Sequence, residues 1–411
     1  MDINTAKETL LNRSNAFRER YFTAYGQLVL RLDDETYIST KENLRLSKLT
    51  DKDFELFDIN TGDIGRMFSS REDINAIVFI CTEASVLFSR NNSVMYPALD
   101  DLAQIIGPDV TVCENGDAKT LLRALKNRRG CFIKGSGIIA IGEDIEEAIA
   151  GARILEKSAE AEIYASRLNG IHHLEPSNAD KLHQFYDRSY SKVNKKGTAD
   201  LISSGATEFV LRNKIIDCGK EMSRRELVQG SWGNISLRLD ENTMLITPSG
   251  MDYYSIHTED IVRMDIHKLE YGMQRKPSSE FRLHAALYRK YPGCNAIIHT
   301  HSNGISAFAA AHAGLRITEP PLDVLIGSIH CSDYQEPGTD ALCDSIMDTI
   351  DGSLACIIAN HGAIFYSRDL DVTLAIADAV ESRACNILGL GQSIIQRRSE
   401  EAEDSDEPET K

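Results

Sequence analysis

Asn295-Ala296-Ile297-Ile298-His299-Thr300-His301 is a short apolar run that ends in two histidines spaced two apart. Side chains repeat every two residues along a strand, so the run reads as a buried strand presenting both imidazoles on one face. Two imidazoles leaving one strand end can share a metal ion. About twenty residues upstream, Ser278-Ser279-Glu280 opens an amphipathic helix, Phe281-Arg-Leu-His-Ala-Ala-Leu-Tyr288. About sixty residues downstream, a second apolar strand that begins at Cys356 ends in Asn360-His361-Gly362.

The same frame occurs earlier in the chain. Tyr25-Gly-Gln-Leu-Val-Leu-Arg-Leu-Asp33 alternates and turns into Tyr37-Ile-Ser-Thr40. About 207 residues later come Trp232-Gly-Asn-Ile-Ser-Leu-Arg-Leu-Asp240 and Leu245-Ile-Thr-Pro248. Asn75-Ala-Ile-Val-Phe-Ile-Cys81 parallels the opening stretch, and Cys131-Phe-Ile-Lys-Gly-Ser-Gly137 parallels Cys356-Ile-Ile-Ala-Asn-His-Gly362. A strand, a charged turn (Glu143-Asp144 or Arg368-Asp369) and a long helix with Glu156 or Glu381 follow each. Three collinear matches indicate a duplicated domain.

The copies are unequal. Phe79, Cys81 and Ser136 stand where His299, His301 and His361 stand, and the first copy has no Pro-Ser-Ser-Glu segment. All three histidines are missing together within a retained apolar frame, as expected of residues that work as a set. The first copy is therefore expected to keep the fold without the metal site, since a lone Cys81 thiolate is a poor ligand set.

The expected organisation is a degenerate domain over 1–165, a linker over 166–200, an intact domain over 201–395 and a disordered acidic tail over 396–411. A chain of 411 residues is too long for one ordinary core. Residues 3–24 read as a helix, Lys181–Asp200 as linker, and Leu201–Cys218 as the first helix of the second copy. Glu400–Lys411 carries seven acidic residues and a proline, a composition that cannot bury a core.

The formal net charge of −17 argues against nucleic acid or an anionic membrane as partner, because the long-range field repels both. A small anionic substrate needs only a local pocket. The nine cysteines form no CxxC pair and several lie in apolar runs, which suits buried thiols in a reducing compartment. The amino terminus lacks a basic segment followed by an apolar one, and no apolar run approaches twenty residues. The expected location is cytoplasmic.

Near neutral pH an imidazole can donate a lone pair to a divalent ion, and three of them with an open position make a Lewis-acid centre. His299, His301 and His361 are the candidate ligands; the plainer reading is histidines capping strand ends. Glu280 reads plainly as a first-turn acid favoured by the helix dipole, with Ser278 or Ser279 as cap. Its functional reading is a proton shuttle at the open metal position, with its pKa raised toward neutrality. Gly233-Asn234, Ser249-Gly250 and Ser278-Ser279 each suit an ordinary turn or cap, and together resemble a cradle for an anion backed by a helix N-terminus. Gln27 replaces Asn234 in the first copy, and Lys276 could add charge.

The second copy resembles the class II aldolase and adducin head-domain family. Trp232-Gly-Asn-Ile-Ser, Ile246-Thr-Pro-Ser-Gly250, Pro277-Ser-Ser-Glu280, His299-Thr-His301 and Asn360-His-Gly362 occur in that family's order and spacing. The resemblance implies an α/β/α fold, with a central, mainly antiparallel sheet flanked by helices and present twice here. It also implies a homo-oligomer, two chains imitating a ring of four domains. In fuculose-phosphate-type aldolases the residues matching His299, His301 and His361 bind zinc, and the match to Glu280 moves a proton. The matches to Asn234, Ser249, Gly250, Ser278 and Ser279 hold the substrate phosphate. Zinc is thus the expected cofactor, with manganese or cobalt as alternatives, and a phosphorylated ketose cleaved through an enediolate the expected substrate.

Some residues depart from the aldolase pattern. Asp323, in Leu322-Asp-Val-Leu-Ile-Gly327, stands where ribulose-phosphate 4-epimerases carry a catalytic aspartate, yet those enzymes usually have aspartate at the position of Glu280. Pro320-Pro-Leu replaces the aromatic residues of the aldolases, and the carboxy-terminal tyrosine that neighbouring subunits often supply has no match after Phe365-Tyr366. The resemblance points first to an aldolase, with an epimerase, a dehydratase or a decarboxylase as alternatives. A non-catalytic adducin-like scaffold is the different-class alternative, disfavoured by the complete histidine set.

Overall fold

The computed structural model describes residues 1–14, 17, 24–186, 205–272, 275–318, 320, 322–350 and 352–390. The chain divides into two compact units. Among the described residues, the first takes those within Met1–Tyr96, Ile105–Ile163 and 387–390; the second takes those within Pro97–Gln104 and Tyr164–Asn386. Pro97–Gln104, which lies within the first repeat by sequence, thus packs as part of the second unit.

In the first unit the strands are β1 (Tyr25–Arg31), β2 (Thr36–Thr40), β3 (Leu44–Arg45), β4 (Phe54–Asp58), β5 (Ala76–Cys81), β6 (Val94–Met95), β7 (Val110–Cys113), β8 (Gly130–Ile133) and β9 (Gly137–Gly142). They run in the order β4-β2-β1-β5-β9-β8-β7-β6, with β3 on β1. Among the described residues of this sheet, only β7 and β8 pair in parallel. The second unit contains β10 (Asn234–Arg238), β11 (Thr243–Ile246), β12 (Val262–Asp265), β13 (Ala296–Thr300), β14 (Leu315–Arg316), β15 (Ser328–Ile329), β16 (Ala355–Ile358) and β17 (Gly362–Ser367). Its six-stranded antiparallel sheet has the order β12-β11-β10-β13-β17-β16, and β14 pairs with β15 separately. That order is the first sheet's β4-β2-β1-β5-β9-β8 repeated, and both units have the α/β/α architecture.

Apolar residues that alternate along the strands build the cores. In the second unit Leu283, Leu287 and Tyr288 of the Phe281–Lys290 helix and Leu342 and Ile346 of the Asp340–Thr349 helix pack on Ile246, Ile297, Ile358 and Ile364. In the first, Met67 and Phe68 of the Gly62–Ser70 helix and Leu121 of the Ala118–Ala124 helix pack on Val29, Ile77, Cys131 and Ile139. Truncating a fully buried member such as Ile297 to alanine costs about 2–5 kcal/mol.

The frame places equivalent residues at equivalent stations. Asn234 of β10 faces His299 of β13, whereas Gln27 of β1 faces Phe79 of β5. The β16–β17 turn holds Asn360 at φ +58°, and the β8–β9 turn holds Gly135 at φ +63°. Each turn is followed by a glycine pressed on the neighbouring strand. A Cβ on Gly362 would lie 2.2 Å from the Thr300 carbonyl oxygen, and one on Gly137 2.1 Å from that of Ile80.

The helix expected over 3–24 is observed as Ile3–Ser14, and most of the rest lies outside the described residues. Part of the expected linker is ordered: Pro176–Phe185 is a helix with proline in its first turn, and it buries Ala179 and Leu182 against Ala103 and Leu174. The next helix is Ala206–Arg224. Residues 187–204 and the acidic tail lie outside the described residues. All nine cysteines are free thiols. Among the described residues no helix is long and apolar enough to cross a membrane.

Candidate metal centre and substrate cavity

Strand periodicity carries His299 and His301 to one face at the end of β13, and the left-handed turn at Asn360 brings His361 beside them. The ring centroids are 4.6, 4.7 and 5.0 Å apart, and all three rings are buried. Among the described residues these are the one group of three or more His, Cys, Asp or Glu whose ligand atoms lie mutually within 4.8 Å.

The outward nitrogen of each ring faces an acceptor. His299 Nδ1 donates to the Ala363 carbonyl (2.9 Å) and His361 Nδ1 to Asp100 Oδ2 (2.8 Å). His301 Nδ1 lies 3.5 Å from Asp101 Oδ2. All three Nε2 atoms turn inward, those of His299 and His301 2.8 Å apart, and with the proton held on Nδ1 each would offer its lone pair to a cation. Three imidazoles converging in this way, neutral once a cation takes the place of their inner protons, fit a divalent ion such as zinc.

Glu280 is the residue before the Phe281–Lys290 helix, but its side chain caps nothing. The carboxylate instead turns inward, with Oε1 3.0 Å from His361 Nε2, Oε2 3.2 Å from His299 Nε2, and Oε2 accepting from Asn234 Nδ2 at 2.8 Å. Burial raises its pKa, but the imidazoles of His299 and His361 outweigh that and hold it well below the usual carboxylate range. The expectation of a carboxyl raised toward neutrality is not met among the protein's own charges, because its neighbours are cationic when protonated. For His361, burial pushes down, and the Glu280 and Asp100 carboxylates prevail and lift it to about 10.

Behind Asn234 runs a buried polar chain that motif reasoning did not find. Asn234 Oδ1 pairs with His284 Nε2 (2.6 Å), His284 Nδ1 with Ser236 Oγ (2.7 Å), and Ser236 Oγ with the Tyr288 hydroxyl (2.8 Å). Burial depresses His284 to about 3, so it stays neutral. The available signal was the spacing of four between His284 and Tyr288, which puts both on the helix face that carries Glu280's network.

A cavity opens onto this centre. Gly233, Asn234, Ser249, Gly250, Ser278, Ser279, Glu280, His301 and His361 all line it, and His299 lies fully buried. Trp232, Tyr186, Phe185 and Leu182 add aromatic and apolar lining, together with the polar Gln104. Ser249 Oγ is buried and has no hydrogen-bond partner among the described residues, which suits a donor awaiting an anion. Gly233 is at φ +76°, and a Cβ there would lie 2.6 Å from the His299 carbonyl oxygen, so only glycine lets this loop approach β13. Among the described residues no lysine or arginine lines the cavity; Lys276 does not.

Asp323 is not brought to this cavity. It sits on the short helix Leu322–Leu325, and its Oδ1 has no hydrogen-bond partner among the described residues. The aspartates that do reach the histidines are Asp100 and Asp101. Pro97-Ala-Leu-Asp100-Asp101-Leu in the first repeat parallels Pro320-Pro-Leu-Asp323-Val324-Leu in the second, a match that could have flagged them.

Comparison with known proteins matches residues 15–163 and 213–388 to the family described as class II aldolase and adducin N-terminal domain. The chain is 32% identical over 175 residues to the 5-deoxy-D-ribulose 1-phosphate aldolase of Bacillus thuringiensis serovar kurstaki, covering 41% of this chain and 80% of that protein. It is 36% identical over 179 residues to the L-fuculose phosphate aldolase of Haemophilus influenzae, covering 42% and 79%. A 3-oxo-tetronate 4-phosphate decarboxylase of the same organism is 27% identical over 169 residues, covering 40% and 80%. A solved L-fuculose 1-phosphate aldolase aligns over 46% of this chain and 91% of its own at TM-score 0.42 and 28% identity. Two matched segments span most of the sequence, and the chain belongs to the class II aldolase and adducin N-terminal domain family as a tandem of two domains.

Proposed function

We propose that the second unit is a metal-dependent lyase that cleaves a phosphorylated ketose in a retro-aldol reaction, zinc being the first choice of cation. The observation that carries this reading is one cavity lined by His301, His361, Glu280 and a cradle of neutral hydrogen-bond donors, with His299 clustered against the two lining imidazoles. The aldolases among the relatives support it.

His299, His301 and His361 would hold the cation, which, when bound, polarises a carbonyl and offsets the negative charge that develops as the carbon–carbon bond breaks. Ser249, Gly250, Ser278, Ser279 and Gly233 bind the phosphate through hydroxyl and backbone donors, so a dianion is held without a cationic side chain. Asn234 fixes the Glu280 carboxylate through its amide, and His284, locked neutral, fixes the Asn234 amide in turn. Glu280 then exchanges a proton with the carbon left carrying the negative charge. The aromatic side formed by Trp232, Tyr186 and Phe185 faces the rest of the substrate and excludes water from it.

The first unit, with Phe79, Cys81 and Ser136 at the ligand positions, has a structural role in this reading. Asp323, off the cavity, is assigned no proton transfer within it. The protein is proposed to be cytoplasmic and to act as a homo-oligomer with domains arranged in a ring, which its mass in solution tests. The relationship to a decarboxylase supports a second reading on a 3-oxo acid phosphate.

The deciding experiment supplies metal-loaded, full-length protein with ketose 1-phosphates, ribulose-type 5-phosphates and a 3-oxo acid phosphate. Release of an aldehyde together with dihydroxyacetone phosphate from a ketose 1-phosphate is the expected result. Interconversion of isomers without cleavage would instead favour an epimerase, and carbon dioxide release a decarboxylase. No turnover of any of them would return the protein to the scaffold class.

A further inference from the structure

The two buried carboxylates on the segment Pro97–Gln104 have no part in the mechanism above. Asp100 and Asp101 are each 1% exposed, although they open a helix of only six residues, Asp100–Ile105. A helix dipole is far too weak to compensate two fully desolvated carboxylates, so they require cationic or hydrogen-bonding neighbours. The histidines are among those neighbours. Asp100 Oδ2 accepts from His361 Nδ1 at 2.8 Å, and Asp101 Oδ2 stands 3.5 Å from His301 Nδ1.

The segment is clasped at the same place. Asn360, next to His361, donates from Nδ2 to the carbonyls of Ala98 (2.9 Å) and His172 (2.6 Å), and its own carbonyl accepts from the Asp100 backbone N–H (2.8 Å). Leu174 N–H donates to the Pro97 carbonyl, and the Tyr334 hydroxyl donates to Asp100 Oδ1 at 3.3 Å. Each Asp100 oxygen therefore has its own donor, which fixes the plane of the carboxylate and hence the ring it holds. In the second repeat the parallel positions are Asp323 and Val324, and Val324 is 86% exposed. The acidic pair therefore belongs to the first repeat alone.

We propose that Asp100 and Asp101, carried by the repeat without a metal site, are positioning residues for the histidine ligands of the other repeat. Asp100 orients His361 and Asp101 orients His301, each by engaging Nδ1 so that Nε2 faces the cation. The inference rests on the reading of His299, His301 and His361 as metal ligands. A carboxylate behind a ligating imidazole fixes its tautomer and raises its basicity, and loss of such a partner typically lowers metal affinity about 10–100-fold.

The test uses metal-stripped, full-length protein and Zn2+ or Co2+ alone, titrated against a competing chelator, with the Co2+ visible spectrum as reporter of ligand geometry. Asp100→Ala is expected to weaken binding about 10–100-fold and shift the Co2+ bands. Asp100→Asn, which keeps an acceptor oxygen, should lose less. Asp101→Ala should also lose less, since its contact is longer. Glu336→Gln removes another carboxylate from the cavity wall without a contact to a histidine, and should leave affinity unchanged. Melting of the stripped protein separates a structural role: positioning predicts a nearly unchanged melting temperature before metal is added and a smaller rise after. Wild-type affinity in Asp100→Ala, an equal loss in Glu336→Gln, or destabilisation of the stripped protein with affinity intact would each overturn the proposal. Failure of the wild type to take up either ion would overturn the metal reading itself and this inference with it.

Discussion

The two repeats share a sheet order, a left-handed turn and a glycine-packed strand entry, yet they differ at every atom that could hold a cation. Phe79 faces Gln27 where His299 faces Asn234, and Gln27 spends its amide on Ser39 Oγ and the Thr40 carbonyl. Even a helix anchor is common to both: Glu381 accepts from Ser302 Oγ and from the Gly304 and Ile305 N–H groups, and Glu156 accepts from Thr82 Oγ1. The difference teaches that the fold is specified by backbone geometry and core packing, which tolerate loss of the chemistry. Chemistry needs a separate set of side chains laid over that frame.

Four outcomes test the contrast, in order of size. His299→Ala and His361→Ala are expected to abolish stoichiometric divalent metal, measured by elemental analysis, while circular dichroism stays native. Retained metal would break the contrast at its root. Glu280→Gln should keep the metal and lower turnover about 10²–10⁴-fold, and an unchanged rate of carbon-acid exchange with a confirmed substrate would remove Glu280 from proton transfer. Placing histidines at Phe79, Cys81 and Ser136 together should give a site about 100-fold weaker than the natural one or worse. In the second repeat Asp100 and Asp101 stand behind His361 and His301, and equal affinity in the first would show that three ligands suffice.

The smallest effect concerns His284, whose place in the Gly62–Ser70 helix of the first repeat is taken by Ile64. Its pKa is about 3 in the fold, against 6.5 for the ordinary group. Between these values the unfolded chain binds one proton more, so this group's contribution is fully present above pH 6.5 and is lost as pH falls toward 3. Comparing wild type with His284→Gln by denaturant unfolding, the wild type should lose about 1.4 kcal/mol more per pH unit below 6.5. Parallel pH curves would mean that His284 can be protonated in place.

The strands, the duplication and the histidine cluster were legible because period-two apolar runs and a repeated offset are local signals. That Gly233, Asn234, Ser249, Gly250, Ser278 and Ser279 line one cavity was hinted at by their short motifs beside those runs. Asp100 and Asp101 were not, because contact across 261 residues leaves no periodicity, and the matching motif pointed to Asp323 instead. The opposing pull of the His299 and His361 imidazoles on Glu280 was not legible either, since sequence shows burial more readily than the neighbours that oppose it. The Pro176–Phe185 helix was hidden by its setting in a polar stretch; only Ala179 and Leu182 of it are buried.

Pro97–Gln104 leaves one set of neighbours and joins another, and this bears on how such a gene can age. Ala103 from this segment packs with Leu174, Ala179 and Leu182, and Asn360 grips its backbone. A deletion that discarded the half without the three histidines would take those anchors with it. Once a duplicate has lent structural members to its sibling, it can lose its own reactivity and still be indispensable.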